Sequence, residues 1–469
     1  MTDTPSLTRR SALAGLALSV LPMPAASRGV SPAKGPGETR QFELRAAPVR
    51  RRIYADAAAE ADLWLFDGPE AVPVLRVRHG DDVVARFRND TPEPLSLHWH
   101  GLRGPNAADG VAGLTQAAVA PGSSHEYRFT PPDPGLVLVR PLAPGKAGQA
   151  AGRGLCALLV VEERDPPKAS ADHAVVLRDW RLEPSGALAP FGAPMEAALA
   201  GRLGNRLSLD GADAPKRIEA SAGSVVRLRL VNAANARALR LRFDEMKVFV
   251  AAVDGHPTDR FEPLRASLPF LPGTRYDLLV EFGPEPGRTG RIVALLGDGL
   301  PLVEIATIAG AAAAGAAAPG NLPPNPLLPP EIKLQNALRR DLAISGGATR
   351  GSVGEPVFTG DPVAIWKING TAGSAKSPPL FTAKRGQPVV LALHNQTGFP
   401  QSIHLHGHCC RLLHGLDDGW EPYWLDTFLI PEGRTARAAF IAANPGKWAI
   451  SSSVLERFDT GLWSWFEVT

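Results

Sequence analysis

The sequence predicts an all-β protein of three tandem Greek-key β-sandwich domains, and three observations carry that expectation. There are 47 glycines and 45 prolines among 469 residues, while amphipathic helical stretches are scarce. One strand-like element occurs three times, as "HGDDVVARFRNDT", "AGSVVRLRLVNAA" and "RGQPVVLALHNQT". Two stretches too poor in apolar residues to build a core separate the copies: "RDPPKAS" and "AGAAAAGAAAPGNLPPNPLLPP".

The elements follow in order. Residues 1–28 read as an export signal: Arg9 and Arg10, a weakly apolar run to Leu21, then small residues, with cleavage after about Ala26. The run is too short for a membrane span, and paired arginines before it point to the twin-arginine (Tat) route, with a Sec signal as the alternative. The mature chain is therefore expected in a bacterial periplasm, without a transmembrane segment. The first domain is expected at 40–165, the second at 170–308, an Ala/Gly/Pro-rich linker at 309–355 and the third domain at 356–469.

Each copy of the repeat reads G-x-x-V-x5-N, with Gly80, Gly223 and Gly386 opening it and Asn89, Asn232 and Asn395 closing it. The stretch between them alternates as a half-buried strand does. The glycine suits a turn, and tolerance of turn geometry is the expected reason for the asparagine.

Counting nine and eleven residues on from each asparagine gives His98 and His100, Leu241 and Phe243, and His404 and His406. Residues two apart on a strand share a face, so each H-x-H pair points one way. Two pairs in register imply one site between the first and third domains, with His98, His100, His404 and His406 as ligands. Four imidazoles suit Cu(II) in tetragonal geometry or zinc in tetrahedral geometry. The alternative is that they only hydrogen-bond across an interface. A net charge of +3 gives no reason to expect nucleic acid as a partner. Three cysteines make no disulfide framework; Cys156, Cys409 and Cys410 read as buried small hydrophobes. "SSSVLER" raises a nucleophilic Ser452 beside His406 or His100, but a G-x-S-x-G elbow and a placed acid are missing.

On these residues the chain resembles a bacterial, Tat-exported, three-domain multicopper oxidase of the laccase-like kind. The motifs are "LHWHGLRGPNAADGVAGLTQAAVAPGSSHEYRFTPPDPG", "GRLGNRLSLDG", "QSIHLHGH", "WLDTFLIPEG", "NPGKW" and "VLERFDTGLWSWFEV". The resemblance implies three cupredoxin domains. It also implies a blue type 1 copper that takes electrons from substrate, and a trinuclear cluster that reduces oxygen to water. Carried over by position, His98 and His404 match the type 2 ligands, and His100 and His406 match type 3 ligands. Other positions depart from the pattern. Arg140 and Leu142 stand at the histidines of the second motif, and Gln401 at the first histidine of the third. Ser451, Ser452 and Ser453 stand at the histidine-cysteine-histidine run. Arg457 stands at the last histidine and Leu462 near the axial methionine. Asp109 matches an acidic residue that in the family helps deliver protons.

Two expectations from different classes follow. One is a copper-binding protein with a single type 2-like ion held by the four histidines, without four-copper oxidase activity; its small-molecule substrate is open. The other is a metal-free envelope scaffold, because this fold is also known in a Tat-exported division protein that works without copper. Three linked domains can close the site within one chain, so a monomer is expected.

Overall fold

The computed structural model describes residues 37–68, 71–310, 320–349, 356–413 and 419–469. The export signal expected at 1–28 lies outside these residues, as do 311–319 and 350–355 of the expected linker.

Six sheets pair into three sandwiches. In the first domain one sheet runs in the order Ala61–Phe66, Thr39–Arg51, Asp82–Asn89, Ser123–Phe129. The facing sheet runs Val74–Arg78, Ala157–Glu162, Gly135–Pro141, Leu97–His100. Along Asp82–Asn89, Val83, Ala85 and Phe87 face the core while Arg86 and Arg88 face water. That period of two is the half-buried strand the sequence predicts.

The repeated strand has the same neighbour in every domain. Asp82–Asn89 runs parallel to Thr39–Arg51, Val225–Asn232 to Ala171–Trp180, and Gln387–Asn395 to Leu338–Gly346. Leu338–Gly346 lies inside the residues expected as linker. Its Leu342 and Ile344 are buried in the third domain's core, so that domain begins with this strand. The preceding proline-rich composition masked it.

The three glycines have positive φ, as a turn requires: 109° at Gly80, 74° at Gly223 and 82° at Gly386. The asparagines do not; their reason is different. Asn89 donates from Nδ2 to the carbonyls of Glu93 and Val119, both at 2.8 Å, and its Oδ1 accepts from Thr91 N and Oγ1. Asn395 does the same with Phe399, Ile430 and Thr397. Each is a buried hub that ties the end of the repeat strand to the loop and to the neighbour of the next strand.

The counting rule holds in the first and third domains and slips in the second. Asn89 and Asn395 bond the carbonyl four residues on, whereas Asn232 bonds Arg237, five residues on. The second domain's loop is one residue longer, and a one-residue shift turns a strand over. Leu241 and Phe243 therefore face their own core, and Arg240 and Arg242 take the outward face. In the first domain Leu97 and Trp99 enter the core, leaving His98 and His100 on the opposite face. In the third, Ile403 and Leu405 enter the core, leaving His404 and His406 opposite. No helix of the described residues is long and apolar enough to cross a membrane.

Candidate metal centre between the first and third domains

All four histidines meet, each 1% exposed or less. His98 Nε2 lies 3.2 Å from His404 Nε2. The His100 and His404 rings stack at 3.6 Å between centroids, and those of His98 and His406 lie 4.2 Å apart. The ligand nitrogens of His98, His100 and His404 all fall within 4.8 Å of one another, as do ligand atoms of His98, Asp109 and His406.

The backbone sets the tautomers. His98 Nδ1 lies 2.6 Å from the carbonyl of Asp109, and His404 Nδ1 lies 3.1 Å from the carbonyl of Asp426. A carbonyl only accepts, so both Nδ1 atoms carry hydrogen and both Nε2 atoms carry lone pairs. Burial pushes the two imidazoles down, to about 4 for His98 and about 3 for His404, so both are neutral near pH 7. Two lone pairs thus face each other with no proton to share. Metal–nitrogen bonds of about 2.0 Å span two nitrogens up to about 4 Å apart, so the pair fits a first-row cation. Nδ1-to-carbonyl bonds are also what orients metal-binding imidazoles in general.

His100 is arranged alike. Its Nε2 lies 2.8 Å from Thr427 Oγ1, whose own hydrogen goes to Asp426 Oδ1. Its Nδ1 is buried without a partner among the described residues. His406 differs. Its Nδ1 lies 3.1 Å from both carboxylate oxygens of Asp109, and its Nε2 lies 2.9 Å from Ser451 Oγ. Both of its nitrogens are engaged without a second imidazole. Burial acts to raise the Asp109 carboxyl, but the His406 and His98 imidazoles hold it well below the usual carboxylate range. Asp109 is thus an ionised acceptor in this site.

Ser451, His406 and Asp109 stand in the hydrogen-bonded order of a hydrolytic triad. The acid partner that the sequence did not place is there, and the serine is Ser451 rather than Ser452. Yet Ser451 and His406 are 0% exposed and Asp109 is 5% exposed, which leaves no approach for an ester or amide. Ser452 Oγ instead accepts from Val454 N.

Four residues of the site carry no histidine-like signal. Asp426 and Thr427 sit within "WLDTF", whose second and fifth residues, Leu425 and Phe428, enter the core. Asp254 and Arg275 come from the second domain. Arg275 ion-pairs with Asp426, donates to the carbonyl of Leu136 at 2.9 Å and to that of Gly273 at 2.9 Å, and so joins all three domains. Asp254 accepts from the backbone N–H groups of Arg275, Asp426 and Thr427, each at 3.0 Å. Gly273, at φ 88°, brings its backbone against His100; a Cβ there would lie 2.6 Å from the ring.

Arg140 stands opposite His98 in the ladder. Its Nη1 donates to the carbonyl of Ser453 at 3.3 Å, while Nε and Nη2 are buried without partners among the described residues. Burial, and then the nearby Arg275, lower its guanidinium to about 10. Leu142 packs in an apolar cluster with Val111 and Phe458.

Gln401 and Arg457 also meet. Arg457 Nη1 donates to Gln401 Oε1 at 2.7 Å and to the carbonyl of Pro400, and Nη2 donates to the carbonyl of Leu199. Its guanidinium lies over the Trp366 ring, 4.7 Å from the centroid. Leu462 is fully buried in the third domain's core. Cys409 and Cys410 are free, buried thiols; burial pushes Cys409 up to about 12. Cys156 is likewise buried and free. His408 packs against Phe440, Trp448 and Phe466.

Three family models described as multicopper oxidase match residues 49–166, 177–293 and 349–469. Multicopper oxidase MmcO of Mycobacterium tuberculosis is 27% identical over 419 residues, covering 81% of this chain and 77% of that protein. Cell division protein FtsP of Proteus mirabilis is 29% identical over 246 residues, 48% of each chain. The crystal structure of a multicopper oxidase from Pseudomonas thermotolerans superposes with a TM-score of 0.81 at 31% identity, covering 92% of this chain and 100% of that one.

Proposed function

The chain belongs to the multicopper oxidase family, and from that premise we propose that it is an exported protein that holds a single copper ion between its first and third domains. The facing Nε2 lone pairs of His98 and His404 carry this reading. His100 supplies the third nitrogen through its free Nδ1. His406 takes a fourth place only by giving up its bond to Ser451.

Copper held there supplies one-electron redox chemistry. The protein's own groups do the rest. Asp109 and Asp426 fix the imidazoles through Nδ1 and place negative charge behind them. Asp109 therefore acts as an orienting carboxylate rather than a proton donor.

Four-copper reduction of oxygen is outside this reading. Gln401, Ser452 and Arg457 supply no thiolate, and Arg457 places a fixed cation where a further metal would have to sit. Arg140 does the same beside His98. Those two buried cations also favour the second reading, a metal-free envelope scaffold, which the partial likeness to a cell division protein accompanies.

The deciding experiment is copper content by elemental analysis, with an EPR spectrum of the same sample. About one copper per chain with a type 2 signal, absent from the His98→Ala/His404→Ala variant, supports the copper site. Copper-free protein after export in copper-rich medium overturns it in favour of the scaffold.

A further inference from the structure

A second polar site lies on the far side of the first domain, where its strand Ala61–Phe66 meets the second domain. Trp64 and Phe66 face the first domain's core, so Leu63 and Leu65 face outward and pack on Trp180. Beside that contact is a cavity of about 230 Å³, lined by Arg51, Arg52, Ile53, Leu63, Leu65, Ala71, Arg178, Trp180 and Gly211. Every charged residue in this lining is an arginine.

Arg178 is 3% exposed. It donates to the carbonyls of Gly154 and Ala151 and stacks on Trp180 at 4.3 Å, yet no carboxylate among the described residues comes within ion-pair distance. Burial lowers its pKa, while Cys156, Asp179 and Tyr54 act against that and Arg51 acts with it. Arg51 and Arg52 are exposed, and neither makes an ion pair among the described residues, unlike Arg50, which pairs with Asp62. In the same apolar cluster Tyr54 is 3% exposed and keeps its hydroxyl buried without a partner.

Three guanidinium groups around one concavity repel one another unless an anion joins them. Together they offer more forked N–H donors than the two oxygens of one carboxylate accept, whereas a tetrahedral oxyanion has an oxygen for each. The volume is too small for a drug-sized ligand and ample for a single small anion. We propose that this interdomain pocket binds a phosphate-type oxyanion, with Arg178 as the buried anchor and Arg51 and Arg52 closing over it. Because the arginines come from two domains, the anion staples them together, and its binding raises the stability of the folded chain by linkage.

The test is calorimetric titration of the mature, full-length protein with inorganic phosphate at low chloride. Thermal unfolding in phosphate against chloride at matched pH and ionic strength accompanies it. Saturable binding near one per chain and a raised midpoint in phosphate are expected. The exposed double variant Arg51→Ser/Arg52→Ser should unfold in chloride at or above the wild-type midpoint, because it relieves the repulsion, and should lose phosphate affinity by about tenfold or more. Arg50→Ser should lose little. The proposal is overturned if phosphate does not bind, if the double variant binds it like wild type, or if Arg50→Ser is as damaging. It is also overturned if citrate binds more tightly than phosphate.

Discussion

His98 and His404 stand Nε2 to Nε2 at 3.2 Å although 306 residues separate them in the chain. Each is held by a carbonyl behind it, so neither can turn its lone pair away without losing a buried hydrogen bond. The arrangement calls for a cation. Replacing either residue alone by alanine should lower copper content from about one per chain to a trace, since it breaks the facing pair and leaves His100 with a single imidazole beside it. His406→Ala should keep most of the copper, because Ser451 and Asp109 already occupy that imidazole. Elemental analysis of the three variants separates these outcomes; equal loss in all three would mean that His406 is a full ligand.

Arg275 should matter as much as any histidine. It holds Asp426, which in turn sits 3.2 Å from His404 Nδ1. Breaking a buried pair by removing one partner costs about 3–5 kcal/mol, because the other charge is left uncompensated. Arg275→Met should lower stability by that amount and weaken copper binding with it. Denaturant midpoints, with and without copper, measure both; a loss of stability with unchanged copper affinity would show that Asp426 does not depend on Arg275 to place His404.

The asparagine hubs make a prediction independent of any metal. Asn89→Ala strands the N–H of Thr91 in the interior and takes one donor each from the carbonyls of Glu93 and Val119, which keep Thr91 Oγ1 and Leu95 N. The expected cost is about 1–3 kcal/mol. Asn89→Gly should do no better, because Asn89 does not have positive φ and gains nothing from glycine's freedom. A glycine variant that restored stability would return the residue to a turn role.

The histidine pairs were legible because a period-two motif recurs at one distance from an equally repeated asparagine, and strand geometry does the rest. The same rule misread the second domain, since one added loop residue reverses which face is buried and leaves no trace in residue type. The strand Leu338–Gly346 was hidden by the composition next to it. Arg275, Asp254 and Asp426 were illegible for another reason: they are common residue types from two domains, brought together by packing rather than by spacing. Ser451 was read as a small replacement, and its bond to His406 depends on a strand pairing, His404 with Ser451, that only the folded chain shows.

The position of Arg457 predicts a gain of colour. On the proposed reading, Gln401, Ser452 and Arg457 stand where the family's pattern has two histidines and a cysteine. Gln401 and Arg457 already touch. The triple variant Gln401→His/Ser452→Cys/Arg457→His removes the buried cation and supplies a thiolate with two imidazoles, a set suited to blue copper. It should take up one further copper and turn blue in the oxidised state. Arg457→His alone should not, because the thiolate is what produces the colour. A colourless triple variant that still binds the first copper would mean that Leu462 or the surrounding packing blocks the second site.

Asp459 gives the fold a pH dependence whose sign can be worked out. Its carboxylate accepts from the N–H groups of Ala147 at 3.0 Å and Gly148 at 2.8 Å, joining the third domain to the first. Burial nevertheless raises its pKa to about 7, and Glu456 beside it is raised by burial too. A raised carboxyl binds its proton more tightly folded than unfolded. Between the ordinary carboxylate range near 4 and about 7, the folded chain therefore holds more protons, and stability falls as pH rises. The contribution is fully present below the ordinary value and is lost once pH passes the folded one. Asp459→Asn removes the charge but keeps an oxygen for only one of the two N–H groups, because Oδ1 and Oδ2 accept one each. It should start below wild type at pH 4 by the lost hydrogen bond, flatten the decline between pH 4 and 7, and so close that gap by pH 8. Thermal midpoints across that range decide it. A gap that stays constant or widens from pH 4 to pH 8 would mean that the ionised carboxylate, through its bonds to the helix Ala147–Gly152, stabilises the junction more than burial destabilises it.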